Sequence, residues 1–538
     1  AKMTVERMFD EYGHFKRFQA CLYFAAVFQA TSCGIHYLAS VFLVETPNFV
    51  CSVPGNITDV LYGNITGSSL ESVLPVIKPA GGPLVVRTSE GEQWELSRCR
   101  SALRINPQDF AYDYYGNKTM KDCSGNFVYD HTEVHNSIVT DWDLVCENEW
   151  LAKLCQPTFM LGVLVGALLF GDIADRIGRV KILMITSLCQ FALGVAVAFS
   201  LNYYFFVVLR FLLAMASSGY LVVVFVYVTE FTGSKVRTWT SMHIHAAFAV
   251  GIMVVALMGY LVRVWWIYQI ILSICTSPFL LFCWKFPETP FYLMAKGRYQ
   301  EAQALLDTIA RFNGLECRLK AEDLLEPMKP AQPEKKLSIL DLFCSWRMAG
   351  RTCTVWAIWF IGSLGYYVFS LGSVNLGGNQ YVNLFLAGAV ELPSYLVGCF
   401  AMDRIGRKKT CAPALLLAGV ACMLIIVVPA VCMMAPMAIL LTLAVGSGSM
   451  MCRVGSIVAP FCVYLVDVWV YLPQLIVGIL AFAIGVLTLL LPETLGEPLP
   501  TTLEEAESLG SNPRKKNSSP GNKDAGDGME LNQHEAKA

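Results

Sequence analysis

The stretch GDIADRIGR at residues 171–179, echoed by AMDRIGRKK at 401–409, decides how this chain is read. Both copies of Asp-Arg-Ile-Gly-Arg, Asp175 to Arg179 and Asp403 to Arg407, lie between two long apolar segments. Glycine permits the tight bend, while the arginines stay in water and mark each loop as cytosolic. A repeated turn so placed signals a duplicated helical membrane protein. Internal repeats of this kind hold a substrate between two halves that rock against each other.

Composition leads to the same class. Hydrophobic residues make up 55% of the 538 residues, charged ones only 15%, and the mean hydropathy is +0.51, far from a soluble average. The net charge of -2 conceals an asymmetry. Residues 45–150 hold 15 acidic against 7 basic side chains, whereas Arg176, Arg179, Lys181, Lys235, Arg237, Arg404, Arg407, Lys408 and Lys409 crowd the short loops. The positive-inside rule therefore puts 45–150 outside the cell, and the N-terminus and short loops in the cytosol.

Windows long enough to cross about 30 Å of hydrocarbon fall near 18–42, 151–171, 181–200, 204–229, 241–261, 265–286, 352–372, 382–402, 410–431, 437–465 and 468–491. The expected organisation follows. Residues 1–44 hold the N-terminus and first span, which is too long for a cleavable signal peptide. Residues 45–150 form an extracellular insertion, and 151–287 the rest of the first half. A cytosolic linker at 288–351 leads to the second half at 352–491. The tail at 492–538 is cytosolic, without periodicity and expected to be disordered from about 509.

The insertion carries Cys51, Cys99, Cys123 and Cys146 in the compartment where disulfides persist, so two bridges are expected, with three pairings open. The sequons at Asn56, Asn64 and Asn117 mark a glycosylated face. The remaining cysteines read as small buried hydrophobes.

Repeat spacing exposes an irregularity. From Asp175 to the PET at 287–289 is 112 residues, but from Asp403 to the PET at 492–494 is 89, so the second half is 23 short, about one membrane span. The fourth window ends in Glu230, followed by Lys235 and Arg237, yet no acidic residue occurs between Asp403 and Asp467.

Chemistry is expected at ionisable groups inside spans, since each costs about 2.5 to 3.5 kcal/mol to insert. Glu391 is the only charge in its window, with Pro393 close by. A carboxylate there suits a quaternary ammonium, which offers no hydrogen-bond donor and is held by charge and aromatic faces. Tyr366 and Tyr367, with Trp359 seven residues earlier on nearly the same helix face, are the expected faces. Arg453 is the only charge between Thr410 and Val466 and suits a carboxylate, which guanidinium grips bidentately. Mutual neutralisation of Glu391 and Arg453 is the competing reading. Arg210 either lines the pathway or snorkels to an interface, and His36, His243 and His245 are packing residues or proton couplers. The sequence shows no nucleotide loop, metal-ligand cluster or nucleophile with a base. Hence no enzyme, cofactor, metal or nucleic-acid partner is expected; the partners are a small-molecule substrate, the lipid bilayer and an unspecified coupling ion.

The long cysteine-bearing first loop, WDLVC ending at Cys146, GDIADRIGR, PETPFYLMAKGR at 287–298 and PETLG at 492–496 together resemble solute carrier family 22, the organic cation, organic anion and carnitine transporters. The resemblance implies an all-α membrane protein with the major facilitator superfamily fold, two pseudo-repeated six-helix halves, the second here short of its tenth helix. It implies alternating-access transport of carnitine and related organic zwitterions or cations across the plasma membrane. An Arg at the place of Arg453 is similar to that of members carrying carboxylates. Asp175, Arg176, Arg179, Glu230, Arg237, Asp403, Arg404 and Arg407 resemble the family's cytosolic gate, where acid-base pairs break as the halves rock. Two alternatives stand beside it: a transport-incompetent isoform or surface binding protein of the same fold, and a sugar-porter-like carrier, since PETPFYL resembles sugar porters too.

Overall fold

A computed structural model describes residues 9, 13–52, the segments 57–62, 65–67, 84–88, 93–96, 99–104, 121–123 and 127–132, then 134–233, 236–277, 285–315, 343, 345–372, 379–424 and 450–493. Asn56, Asn64, Asn117 and the tail from 494 lie outside these residues, as do most of the linker and positions 425–449.

The apolar windows form helices. In the first half these are α1 (Arg17–Leu38), the short α2 (Ser40–Leu43) and α3 (Ile138–Asp141), then α4 (Glu149–Ile177), α5 (Arg179–Ala198), α6 (Tyr203–Phe231), α7 (Arg237–Leu261) and α8 (Trp265–Cys275). Two short helices follow, α9 (Pro290–Ala295) and α10 (Tyr299–Asn313). The second half comprises α11 (Trp346–Gly372), α12 (Gln380–Arg404), α13 (Arg407–Leu424), α14 (Met450–Val463) and α15 (Leu472–Thr488). Among the described residues, seven helices are long and apolar enough to span a bilayer.

Among the described residues strands are confined to the insertion. Strand β1 (Phe49–Cys51) pairs with β8 (Phe127–Tyr129). The other six are β2 (Ile57–Tyr62), β3 (Ile65–Gly67), β4 (Leu84–Thr88), β5 (Gln93–Leu96), β6 (Arg100–Arg104) and β7 (Lys121–Asp122); they form an antiparallel sheet in the order β3-β2-β4-β5-β6-β7. Cys51 bonds to Cys123 and Cys99 to Cys146, one of the three pairings open to the sequence. The insertion is anchored on the helix ends through the WDLVC segment. Trp142 packs edge-on against Phe206 and Trp265, and Asp141 accepts hydrogen bonds from Trp265 Nε1 at 2.7 Å and Asn136 Nδ2 at 2.8 Å. Burial, with the Asp143 carboxylate accepting its hydroxyl at 2.9 Å, pushes the Tyr129 phenol above its usual range and keeps it a donor.

Helix packing repeats between halves. Helix α1 lies along α7 as α11 lies along α14, and α5 meets α8 as α13 meets α15. Across the halves, α7 packs on α12 and α4 on α14. The exception is α6. It is the central helix of the first half, touching α1, α4, α5 and α7. Its contact with α4 is close because Gly162 and Gly166 let the backbone carbonyls of Phe211 and Met215 approach where a side chain would stand. Among the described residues the second half has no helix in that place, and α12 and α13 lack the neighbour that α4 and α5 share. The repeat deficit counted in the sequence concerns this part of the chain, and residues 425–449, which lie within it, are outside the described residues.

Unpaired helix faces and backbone inside a bilayer are costly. Restoring about one helix and loop, the 23 or more residues missing before Leu443 by the repeat spacing, is expected to raise the amount of chain reaching the cell surface severalfold, measured by surface biotinylation. An unchanged surface level would mean that the second half closes without a counterpart of α6.

Candidate substrate-binding site

Helix α12 carries Glu391 into the interior, where it is 3% exposed. Its Oε2 accepts a hydrogen bond from Tyr366 Oη of α11 at 3.4 Å and from Tyr395 Oη, one turn further along α12, at 3.2 Å. Those hydroxyls are its polar partners; Glu391 stands in no ion pair among the described residues. The helix runs on through Pro393, and Ser394 Oγ donates to the Glu391 carbonyl at 2.6 Å.

An aromatic path leads from Glu391 to the second charge. Tyr366 meets Tyr367 edge-on at 5.2 Å and Phe248 of α7 at 6.4 Å. Phe248 meets Tyr37 of α1 at 5.4 Å, and Tyr37 Oη accepts a hydrogen bond from Arg453 Nη1 of α14 at 3.2 Å. Five helices, two from the first half and three from the second, thus bring a carboxylate and a guanidinium to opposite ends of a tyrosine- and phenylalanine-lined interior. The rings give a quaternary ammonium polarizable faces, the carboxylate gives it a counter-charge, and the guanidinium suits a carboxylate.

Trp359 is not part of this group. It is half-buried, and no ring contact joins it to Tyr366 among the described residues. Seven residues return to the same helix face but lie about 10 Å along the axis, which separates the two rings. Tyr37, Phe248 and Tyr395 were not singled out in the sequence. Only Tyr395 left a signal there, four residues after Glu391 on the same face. His243 and His245 turn Nδ1 to the carbonyls of Trp239 and Ser241 at 2.7 and 3.1 Å, as packed helix residues do. Arg210 is 1% exposed, so it does not snorkel.

At the other end of the bundle the repeated turns form a second polar cluster. Arg179 Nη2 lies 2.9 Å from Asp175 Oδ1 and 3.1 Å from Glu230 Oε1 at the end of α6. Gly178, at φ +118°, turns the chain into α5, whose first backbone N–H groups, Arg179 and Val180, donate to the Glu288 carboxylate at 3.1 and 3.3 Å. The second half repeats this clasp. Gly406, at φ +111°, precedes α13, and Arg407 and Lys409 N–H donate to Glu493 at 3.0 and 3.3 Å. A carboxylate at a helix N-terminus satisfies unpaired donors and opposes the helix dipole. Both acceptors are the glutamates of the PET segments, whose sequence alone carries no sign of this role. The Glu230 pair is not repeated, because residues 404–466 contain no acidic side chain. Asp403 and Arg404 are exposed, as are the side chains of Asp175 and Arg176, while the Arg176 carbonyl accepts Tyr292 Oη at 3.2 Å. The side chain of Arg237 lies outside the described residues.

Residues 105–452 match the family described as Sugar (and other) transporter. Solute carrier family 22 member 16 of Xenopus laevis is 54% identical over 537 residues, covering 94% of this chain and 95% of the relative. The human protein of the same description is 47% identical, covering 95% and 94%. The chain belongs to solute carrier family 22. An organic cation transporter protein of Drosophila melanogaster is 30% identical over 95% of this chain and 96% of its own. The Xenopus alignment is longer than the part of this chain it covers, so it includes positions of the relative that are absent here. Among solved structures, the proton:xylose symporter XylE bound to 6-bromo-6-deoxy-D-glucose superposes with a TM-score of 0.51 at 16% identity, over 68% of this chain and 90% of that one. A partially occluded, inward-open XylE from E. coli superposes at 0.50 and 15%, over 88% and 97%. The solved structures establish the major facilitator fold, and the family match and relatives make this a member of a multi-pass membrane transporter family.

The clasp predicts a specific lesion. A Cβ at Gly178 would stand 2.5 Å from Glu288 Oε2 on a backbone that side chains rarely adopt. Gly178→Val is expected to cost about 1–3 kcal/mol in thermal unfolding of the purified protein, whereas Gly350→Ala, with open space around it, is expected to be neutral. Equal melting temperatures for both would show that the Glu288 clasp does not restrain the turn.

Proposed function

We propose that this chain moves carnitine and related organic zwitterions or cations across the plasma membrane by alternating access. The observation that carries the reading is the buried Glu391, held by two tyrosine hydroxyls and joined through aromatic rings to Arg453 on the opposite helix. The Drosophila relative's name, organic cation transporter protein, supports the cation end. Contacts between the halves at the insertion end support the rocking: Phe42 stacks on Tyr381 at 5.0 Å, Gln380 Nε2 donates to Glu45, and Tyr464 Oη donates to the Lys153 carbonyl at 3.2 Å. On this reading 45–150 is extracellular and glycosylated at Asn56, Asn64 and Asn117, and Asp175, Arg179 and Glu230 form a cytosolic gate with the flanking arginines. Tyr366 and Tyr367 are substrate faces in this scheme, and Trp359 is not required.

A second reading, a surface protein of the same fold that does not transport, is favoured by the 23-residue deficit in the repeat spacing of the second half. Uptake of radiolabelled carnitine, normalised to surface level, separates the two. Glu391→Gln is expected to lower uptake of quaternary ammonium compounds about tenfold or more, equivalent to losing ~1.4 kcal/mol of binding, with surface level unchanged. Loss of surface protein instead would make Glu391 a structural residue. Glycosidase treatment is expected to shift the mass of the wild type and not of the triple variant at Asn56, Asn64 and Asn117; an unshifted wild type would reverse the orientation.

A further inference from the structure

Helix α7 turns one face to α12 and another to α1. Met242, Ala246 and Ala249 pack with Tyr395 and Cys399 of α12, while at Phe248 and Gly251 the backbone lies close against Gly34 and Thr31 of α1. With about 3.6 residues to each turn, His245 falls between those two faces, one turn before Phe248, and so looks into the interior between α1 and α12. Its ring centre is 6.1 Å from that of Tyr395, whose hydroxyl donates to Glu391 at 3.2 Å. Phe248 carries the ring that joins Tyr366 to Tyr37, and thereby to Arg453. His245 thus stands beside the path between the two charges, at its Glu391 end.

The imidazole is oriented by its own helix. Nδ1 lies 3.1 Å from the Ser241 carbonyl. A carbonyl only accepts, so Nδ1 carries the proton, and in the neutral ring Nε2 presents a bare lone pair. His245 is half-buried, and its Nε2 has no hydrogen-bond partner among the described residues and is not sealed from the interior space. His243, two residues earlier, differs: its ring stacks on Trp239 at 5.8 Å, away from Glu391. A lone pair beside a path that ends in a carboxylate and a guanidinium calls for a donor from the ligand. Neither a quaternary ammonium nor a carboxylate supplies one, whereas a hydroxyl does.

We propose that His245 Nε2 accepts a hydrogen bond from a hydroxyl carried between the two charges of the substrate, so that hydroxylated zwitterions are preferred to their deoxy analogues. The inference rests on the zwitterion reading of Glu391 and Arg453 and adds a third point of recognition to it. The two charges select the ends of the ligand, and His245 selects what lies between them.

Equilibrium binding to the purified full-length chain in detergent, at about pH 8 where imidazole is neutral, tests this without requiring transport. Carnitine carries the hydroxyl, and γ-butyrobetaine is the same zwitterion without it. The wild type is expected to bind carnitine about three- to tenfold more tightly, the worth of one hydrogen bond between neutral groups. His245→Phe keeps a ring beside Tyr395 and loses both nitrogens, and the ratio of the two affinities is expected to fall to about one. His245→Gln, which brings an amide oxygen to the place of Nε2, is expected to restore part of the preference. Equal binding of the two compounds by the wild type, or a preference kept in His245→Phe, would overturn the hydroxyl contact and leave the zwitterion reading in place. Should His245→Phe fail to fold, a preference kept in His245→Asn, which still reaches the Ser241 carbonyl but ends short of Nε2, would overturn it instead. Binding of neither compound by the wild type would reject the zwitterion reading and this contact with it.

Discussion

Hydrocarbon cannot solvate a charge, and that constraint orders the interior of this protein. Glu391 and Arg210 are buried in the helix bundle and Arg453 is half-buried, and each is held differently: Glu391 by two tyrosine hydroxyls, Arg453 by the Tyr37 hydroxyl, and Arg210 over the face of Phe159. Among the described residues none of these three arrangements pairs one of the charges with another. No contact among the described residues joins Glu391 to Arg453, and the proposed function assigns them to the two ends of a ligand carrying both signs. The aromatic side chains between them fill the space that separate charges require, and they span both halves of the bundle.

At the opposite end the arrangement is mechanical. Two glycines with positive φ turn the chain sharply, and the glutamates of the two PET segments receive the first backbone donors of the helices that follow. Each clasp ties the turn of its half to the segment just after that half's last helix, more than eighty residues later in the chain. The first half adds Glu230 from the end of α6 against Arg179. The second half has the clasp but, among the described residues, no counterpart of that helix, and residues 404–466 contain no acid. An asymmetry in one central helix therefore appears twice, in the packing around α12 and α13 and in the charge pairs at the bundle end.

Much of the fold was legible because its signals are long or repeated. Apolar windows marked the helices, the two DRIGR turns marked the duplication, and the spacing between turn and PET marked the second half as the shorter one. Glu391 and Arg453 were legible for a related reason, since a lone charge in an apolar run is conspicuous. Their surroundings were not. Tyr37, Phe248 and Tyr395 are aromatic residues in segments rich in such residues, and only the crossing of α1, α7, α11 and α12 selects them. Trp359 shows the converse: a face shared on a helix says nothing about height along it. The strands of the insertion were also unread, because short strands separated by loops leave no long period in sequence.

The central claim is that Glu391 and Arg453 serve opposite ends of one zwitterion, and the most direct measurement is the substrate profile of Arg453→Asp. Uptake of carnitine and of a quaternary ammonium compound lacking a carboxylate would be compared at equal surface level. The account predicts that carnitine uptake is lost while uptake of the simple cation is kept or increased. Carnitine uptake equal to that of the wild type, or loss of both substrates in parallel, would contradict it.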